Sequence, residues 1–126
     1  MTALEASIRI EVETEYIEQQ SDPEQDKFLF SYTITIFNEG AAPAKLESRH
    51  WIITDANGRT SEVQGSGVVG ETPTIDPNTS YQYTSGTVLE TPLGVMEGSY
   101  DMLSSDGQVF KANIPAFRLA VPGLLH

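Results

Sequence analysis

The sequence predicts an all-β chain whose strands stack as a β-sandwich of two antiparallel sheets, seven or eight strands in all. Three observations point there. Apolar residues recur with period two over most of the chain, turn-forming residues punctuate it every eight to twelve positions or so, and no stretch shows the three-to-four spacing of an amphipathic helix. That pattern favours a two-sheet sandwich over a barrel.

The first strand is expected from Ser7 to Tyr16, where Ile8, Ile10, Val12, Thr14 and Tyr16 alternate with Arg9, Glu11, Glu13 and Glu15. A polar stretch from Gln19 to Asp26 reads as a solvated loop. Phe28 to Phe37 forms the second strand, with Phe28, Phe30, Tyr32, Ile34 and Ile36 on one face. Asn38-Glu39-Gly40 closes it. Leu46–Thr54 and Thr60–Gln64 make a hairpin around Asp55-Ala56-Asn57-Gly58, because Asn-Gly supplies the positive φ values of a tight turn. Tyr81–Thr87 follows Pro77-Asn78. Ser99–Leu103 and Val109–Ile114 pair around Asp106-Gly107, and Pro115 separates a last strand, Phe117–Val121. Between them, Thr91 to Gly98 reads as a loop shaped by Pro92, Gly94 and Gly98, whose Leu93, Val95 and Met96 either lid the core or meet a partner.

Composition narrows the function classes. The 126 residues suggest one domain, 1–126, and Leu, Ile, Val and Phe supply 31 of them, enough for a core. With 18 acidic residues against 7 basic ones, the net charge of −11 argues against nucleic acid or an anionic membrane as the main partner. Cysteine is absent, which excludes disulfides, thiolate zinc sites and a Cys nucleophile. Residues Met1 to Ser7 lack the features of a signal peptide, and no apolar run exceeds three residues, so a cytoplasmic protein without membrane insertion is expected.

Two segments hold the candidate functional residues. Gly65-Ser66-Gly67-Val68-Val69-Gly70 has the G-x-G-x-x-G spacing of a dinucleotide-binding turn, but Pro73 and Pro77 follow where a helix would have to start. The readings left are a glycine-rich bulge or loop between strands and a nest of backbone N–H groups for an anion such as phosphate or a nucleotide. Glu62, Glu71 and Asp76 nearby oppose the nest. In Ser48-Arg49-His50-Trp51, strand alternation puts Arg49 and Trp51 on one face and His50 on the other, so Arg49 and His50 cannot converge on one substrate. A hydrogen-bonded His50, a core Trp51 and an Arg49 paired with a carboxylate are expected there. The other histidine, His126, is terminal.

Neither catalysis nor a resident metal is indicated. No G-x-S-x-G elbow surrounds Ser85, and a lone histidine makes no ligand pair. Glu11, Glu13 and Glu15, or Asp22, Glu24 and Asp26, would bind Mg²⁺ only diffusely, as a solvated face does.

Taken together, Gln20-Ser21-x-Pro23, Tyr32-Thr33-Ile34, Ile36-x-Asn38-x-Gly40, Ser48-Arg49-His50-Trp51-x-Ile53-Thr54-Asp55, Gly65-x-Gly67-Val68-Val69-Gly70-Glu71, Tyr83-Thr84-Ser85-Gly86, Thr91-Pro92-x-Gly94-x-Met96-x-Gly98-x-Tyr100-x-Met102 and Ile114-Pro115-x-Phe117 closely resemble the bacterial ApaG (CorD) family. Lys45, Thr72 and Asn78 depart from the family pattern. The resemblance implies a fibronectin type III-like or immunoglobulin-like β-sandwich without established enzymatic activity or cofactor. It also implies a link to cobalt resistance and Mg²⁺ efflux, and use as a protein-interaction module.

Two functional expectations follow. In the first, a non-catalytic module presents the glycine loop and the Thr91–Gly98 loop to a protein partner. In the second, a small-ligand sensor holds phosphate or nucleotide at the glycine loop, or a divalent cation on carboxylates. Gly65, Gly67, Gly70, Arg49, His50 and Met96 are the candidate binding residues.

Overall fold

The computed structural model describes Leu4 and residues 7–123; the expectations for the N-terminal residues before Ser7, Leu4 apart, and for His126 lie outside the described residues. Eight strands form: β1 (Ile8–Tyr16), β2 (Phe28–Asn38), β3 (Ala44–Asp55), β4 (Thr60–Ser66), β5 (Thr74–Ile75), β6 (Thr79–Leu89), β7 (Leu93–Ser104) and β8 (Val109–Ala120). They build an all-β sandwich. One antiparallel sheet has the order β1-β2-β6, and the other β4-β3-β7-β8 with the short β5 on β3.

Alternation explains the first sheet directly. Every second residue of β2, from Phe28 to Asn38, is buried, and β1 and β6 flank it with no register shift. Asn38 ends the buried row, and its amide is fully used. Nδ2 donates to the carbonyls of Ala42 and Ile75 at 2.9 and 2.8 Å, while Oδ1 accepts from the Gly40 N–H at 3.0 Å. A buried amide with such partners costs little, and here it ties β5 to the end of β2.

The second sheet needs two bulges. Leu46 and Trp51 are both buried although they are five residues apart, an odd spacing that plain alternation would split between the two faces. A register shift between Leu46 and Ser48 absorbs one residue, so Arg49 and Trp51 turn inward. In β8 the buried positions are Phe110, Ala112 and Ile114, then Leu119, and the shift opposite Met96 and Gly98 falls at Pro115 and Ala116. The expected break at Pro115 is therefore a bulge within one continuous strand, a position where a missing N–H is tolerated.

A second correction concerns Thr91 to Gly98. Leu93–Gly98 is the first half of β7, paired on both sides, and Thr91 closes the corner before it. The Thr91 hydroxyl accepts from the Ala56 N–H at 3.0 Å and donates to the Leu93 carbonyl at 2.7 Å. Both expected hairpins form, with Gly58 and Gly107 at φ +82° and +90°; Asn57 keeps a negative φ, so only the glycine supplies the left-handed residue.

Trp51 centres the core. Its ring meets Tyr32, Phe117 and Tyr100 edge-on at 5.4, 5.8 and 6.4 Å between centroids. On one side of the sandwich β1 lies close to β8. On the other side β4 and β6 end their sheets as edges without strand partners among the described residues, and cavities lie between the sheets there. Among the described residues no helix is long and apolar enough to cross a membrane.

Candidate functional site

The glycine segment is a tight turn at the end of β4, on the open side. Val68 and Glu71 exchange both backbone hydrogen bonds, at 2.8 and 2.9 Å, so Val69 and Gly70 are the two corner residues. Both take positive φ, +43° and +82°. Glycine does so freely; a β-branched valine does not, and Val69 is held there at a cost of roughly 1–2 kcal/mol. Val68 anchors the turn with no exposure, while the apolar Val69 side chain stands 55% exposed.

The turn starts no helix; it is the loop between strands that the flanking prolines predict. Gly67 sits at φ +62°, and a Cβ there would fall 2.2 Å from the Glu71 carbonyl oxygen. Its N–H donates to the Glu47 carbonyl, and that of Val68 to the Glu71 carbonyl, so these amides do not form a nest. The amides of Val69 and Gly70 have no acceptor among the described residues.

Arg49 holds the turn from inside. Its Nη1 donates to the carbonyls of Ser66 and Gly67 at 3.1 and 2.9 Å. Register puts Gly65 directly opposite, and a Cβ on Gly65 would lie 2.8 Å from Nη1, so that glycine is the slot in which the guanidinium lies. The expected carboxylate partner for Arg49 is replaced by carbonyls. Sequence reasoning missed this because only the β3–β4 register brings Gly65 and the carbonyls after it to Arg49.

His50 faces the other way, as alternation requires, with Nε2 3.2 Å from Glu62 Oε2. On the same outer face Ser48 donates to Asp101 Oδ2 at 2.9 Å, and Lys111 reaches Oδ1 at 3.1 Å. These two contacts, the Ser48 bond first, lower the Asp101 pKa from its usual value. Met96 has no exposure; it belongs to the core in β7 and offers no surface to a partner, contrary to its expected place in a loop. Among the described residues no group of three His, Asp or Glu side chains converges as a metal-ligand set.

Beneath the turn lies a cavity of about 290 Å³ between the sheets, walled by Tyr32, Trp51 and Tyr83 and rimmed by Arg49, Ser85 and the Val69–Gly70 corner. On its core side the hydroxyls of Tyr83 and Tyr100 hydrogen-bond across the sandwich. Burial raises both pKa values above the ordinary tyrosine range. Because burial penalises the phenolate, the raised values leave stability unchanged below the unfolded tyrosine value near 10 and lower it as pH rises above that value. The pair predicts a non-additive mutant cycle. Tyr83→Phe strands the Tyr100 hydroxyl and costs about 1–3 kcal/mol, whereas the double Tyr83→Phe/Tyr100→Phe variant recovers part of that loss. Urea midpoints at neutral pH measure it, and equal losses in the single and double variants would count against the pair.

Comparison with known proteins agrees with this architecture. The family model described as the ApaG domain matches residues 18–104. A protein from Shewanella baltica described as Protein ApaG is 73% identical over 126 residues, covering 100% of both chains. An X-ray structure with 72% sequence identity superposes with a TM-score of 0.94 over 98% of this chain and 94% of that one. The crystal structure of a protein from Bordetella pertussis described as the putative ApaA protein, 44% identical, gives 0.90 over 92% and 94%. By the matched segment and by identity over the full length of its relatives, the chain belongs to the ApaG domain family.

Proposed function

We propose that this chain is a non-catalytic protein-interaction module whose contact surface is the open side of the sandwich, with the glycine turn at its centre. One observation carries the reading: Val69, an exposed apolar side chain kept at φ +43° where asparagine or glycine would be more stable. Strain retained at an exposed position points to a use for that side chain. The flanking edges β4 and β6 add unpaired backbone groups, which suit an added protein segment. Cytoplasmic action and an effect on divalent-cation (Co²⁺, Mg²⁺) homeostasis exerted through the partner belong to the same proposal, on the strength of the family resemblance.

Val69→Asn separates function from folding. Asparagine accepts the left-handed region, so the variant gains about 1 kcal/mol of stability, read as a higher melting temperature. The same change removes the apolar contact and lowers recovery of the partner from native lysate on immobilised protein. A variant that melts higher and recovers the same partner in full yield overturns the proposal.

A further inference from the structure

The cavity under the glycine turn differs chemically from four other concavities of this surface. Each of those four, among the described residues, is lined by at least one carboxylate, from Asp55 and Glu90, Glu97, Glu39 or Asp101. This one has none in its lining, although 18 of the chain's residues are acidic. What lines it instead are donors. Arg49 forms no ion pair among the described residues, and its hydrogen bonds to Ser66 and Gly67 use Nη1 alone. That leaves Nη2 and Nε with donors to offer. The Val69 and Gly70 N–H groups are likewise unspent, and the Ser85 and Tyr32 hydroxyls stand on the facing sheet. A guanidinium without a carboxylate, set among aromatic walls, is an incomplete ion pair.

We infer that this cavity captures a carboxylate, the C-terminal carboxylate of the partner chain. The inference rests on the interaction-module reading above. Guanidinium and carboxylate match as planar forks, and paired backbone N–H groups at a turn corner complete such a site. Tyr32, Trp51 and Tyr83 close the floor of the cavity but are almost wholly buried, so what the cavity offers a ligand is mainly its polar rim. The chain's net charge of −11 opposes a phosphate dianion more strongly than a monoanionic carboxylate.

The probe is N-acetyl-leucine, titrated into the ¹⁵N-labelled full chain, with N-acetyl-leucinamide and inorganic phosphate as parallel arms. Saturable shifts of the Val69 and Gly70 amides with the acid, and none with the neutral amide, are expected. Arg49→Lys, which keeps the charge but loses the fork, weakens the acid's affinity about tenfold. Arg49→Gln abolishes it if the turn still folds. No saturable shift with the acid, equal shifts with the neutral amide, or tighter binding of phosphate each overturns the inference. Failure here combined with loss of partner in Val69→Asn removes only the carboxylate pocket. A bound probe with partner recovery unchanged in Val69→Asn removes the module reading instead.

Discussion

Gly98→Ala lowers stability by about 3 kcal/mol or more, at the severe end of what overpacking does in a well-packed core. Gly98 is opposite Trp51 in the β3–β7 ladder, beside the bulge in β8. A Cβ there would fall 2.0 Å from the His50 carbonyl oxygen, 3.1 Å from its carbon and 3.2 Å from the Trp51 Cα. All three are backbone atoms of a central strand, so no side chain can swing aside to make room. The ladder itself must open, and with it the seat of Trp51. For a chain of this size the loss lowers the melting temperature by about 10 °C. Thermal unfolding followed by circular dichroism measures it, and a shift within about 1 kcal/mol of wild type would show that β3 and β7 are not so close.

Met96→Asp has a comparable effect by a different route. Met96 is buried without exposure between the sheets, and among the described residues no Lys or Arg is buried in the core. A carboxyl group forced there has its pKa raised by about 3–5 units, and since the penalty grows only from the unfolded value near 4 up to the working pH, it costs about 4 kcal/mol at pH ~7. That approaches the whole stability of an ordinary domain, about 5–15 kcal/mol. The sign of its pH dependence is fixed: a raised acid pKa is neutral in effect below the unfolded value near 4 and increasingly costly as pH rises above it. The variant therefore closes part of its gap to wild type between pH ~7 and ~4. Urea unfolding at both pH values tests this, with Met96→Leu as the volume-matched control expected within about 1.5 kcal/mol of wild type. A Met96→Asp protein as stable as that control would place residue 96 at the surface.

Much of this architecture is legible from side-chain alternation. The strand Phe28–Asn38 buries the predicted face, and Arg49 and His50 diverge as expected, because period-two patterning reports the side of the sheet directly. Illegible were the places where one extra residue flips that phase. Nothing in Leu46-Glu47-Ser48 or Ile114-Pro115-Ala116 announces a bulge without the partner strand beside it. Proline and glycine misled in the same way. Pro92, Gly94 and Gly98 look like loop residues, yet Gly94 and Gly98 sit where a Cβ would strike Leu89 or the β3 backbone. At the candidate site the turn was recognisable from its glycines. Arg49's bond to carbonyls was not, since it depends on which residue of β4 lies across from it.

The order of strands also shapes how the protein is made. β2 waits for β6, about fifty residues later in the chain, and β3 waits equally long for β7. Early in synthesis only neighbouring hairpins such as β1–β2 and β3–β4 can close, each with its apolar face bare. The three-stranded layer is complete only once Leu89 has been made and the other layer only with β8 at Val109–Ala120, so apolar surface stays unpaired through most of synthesis.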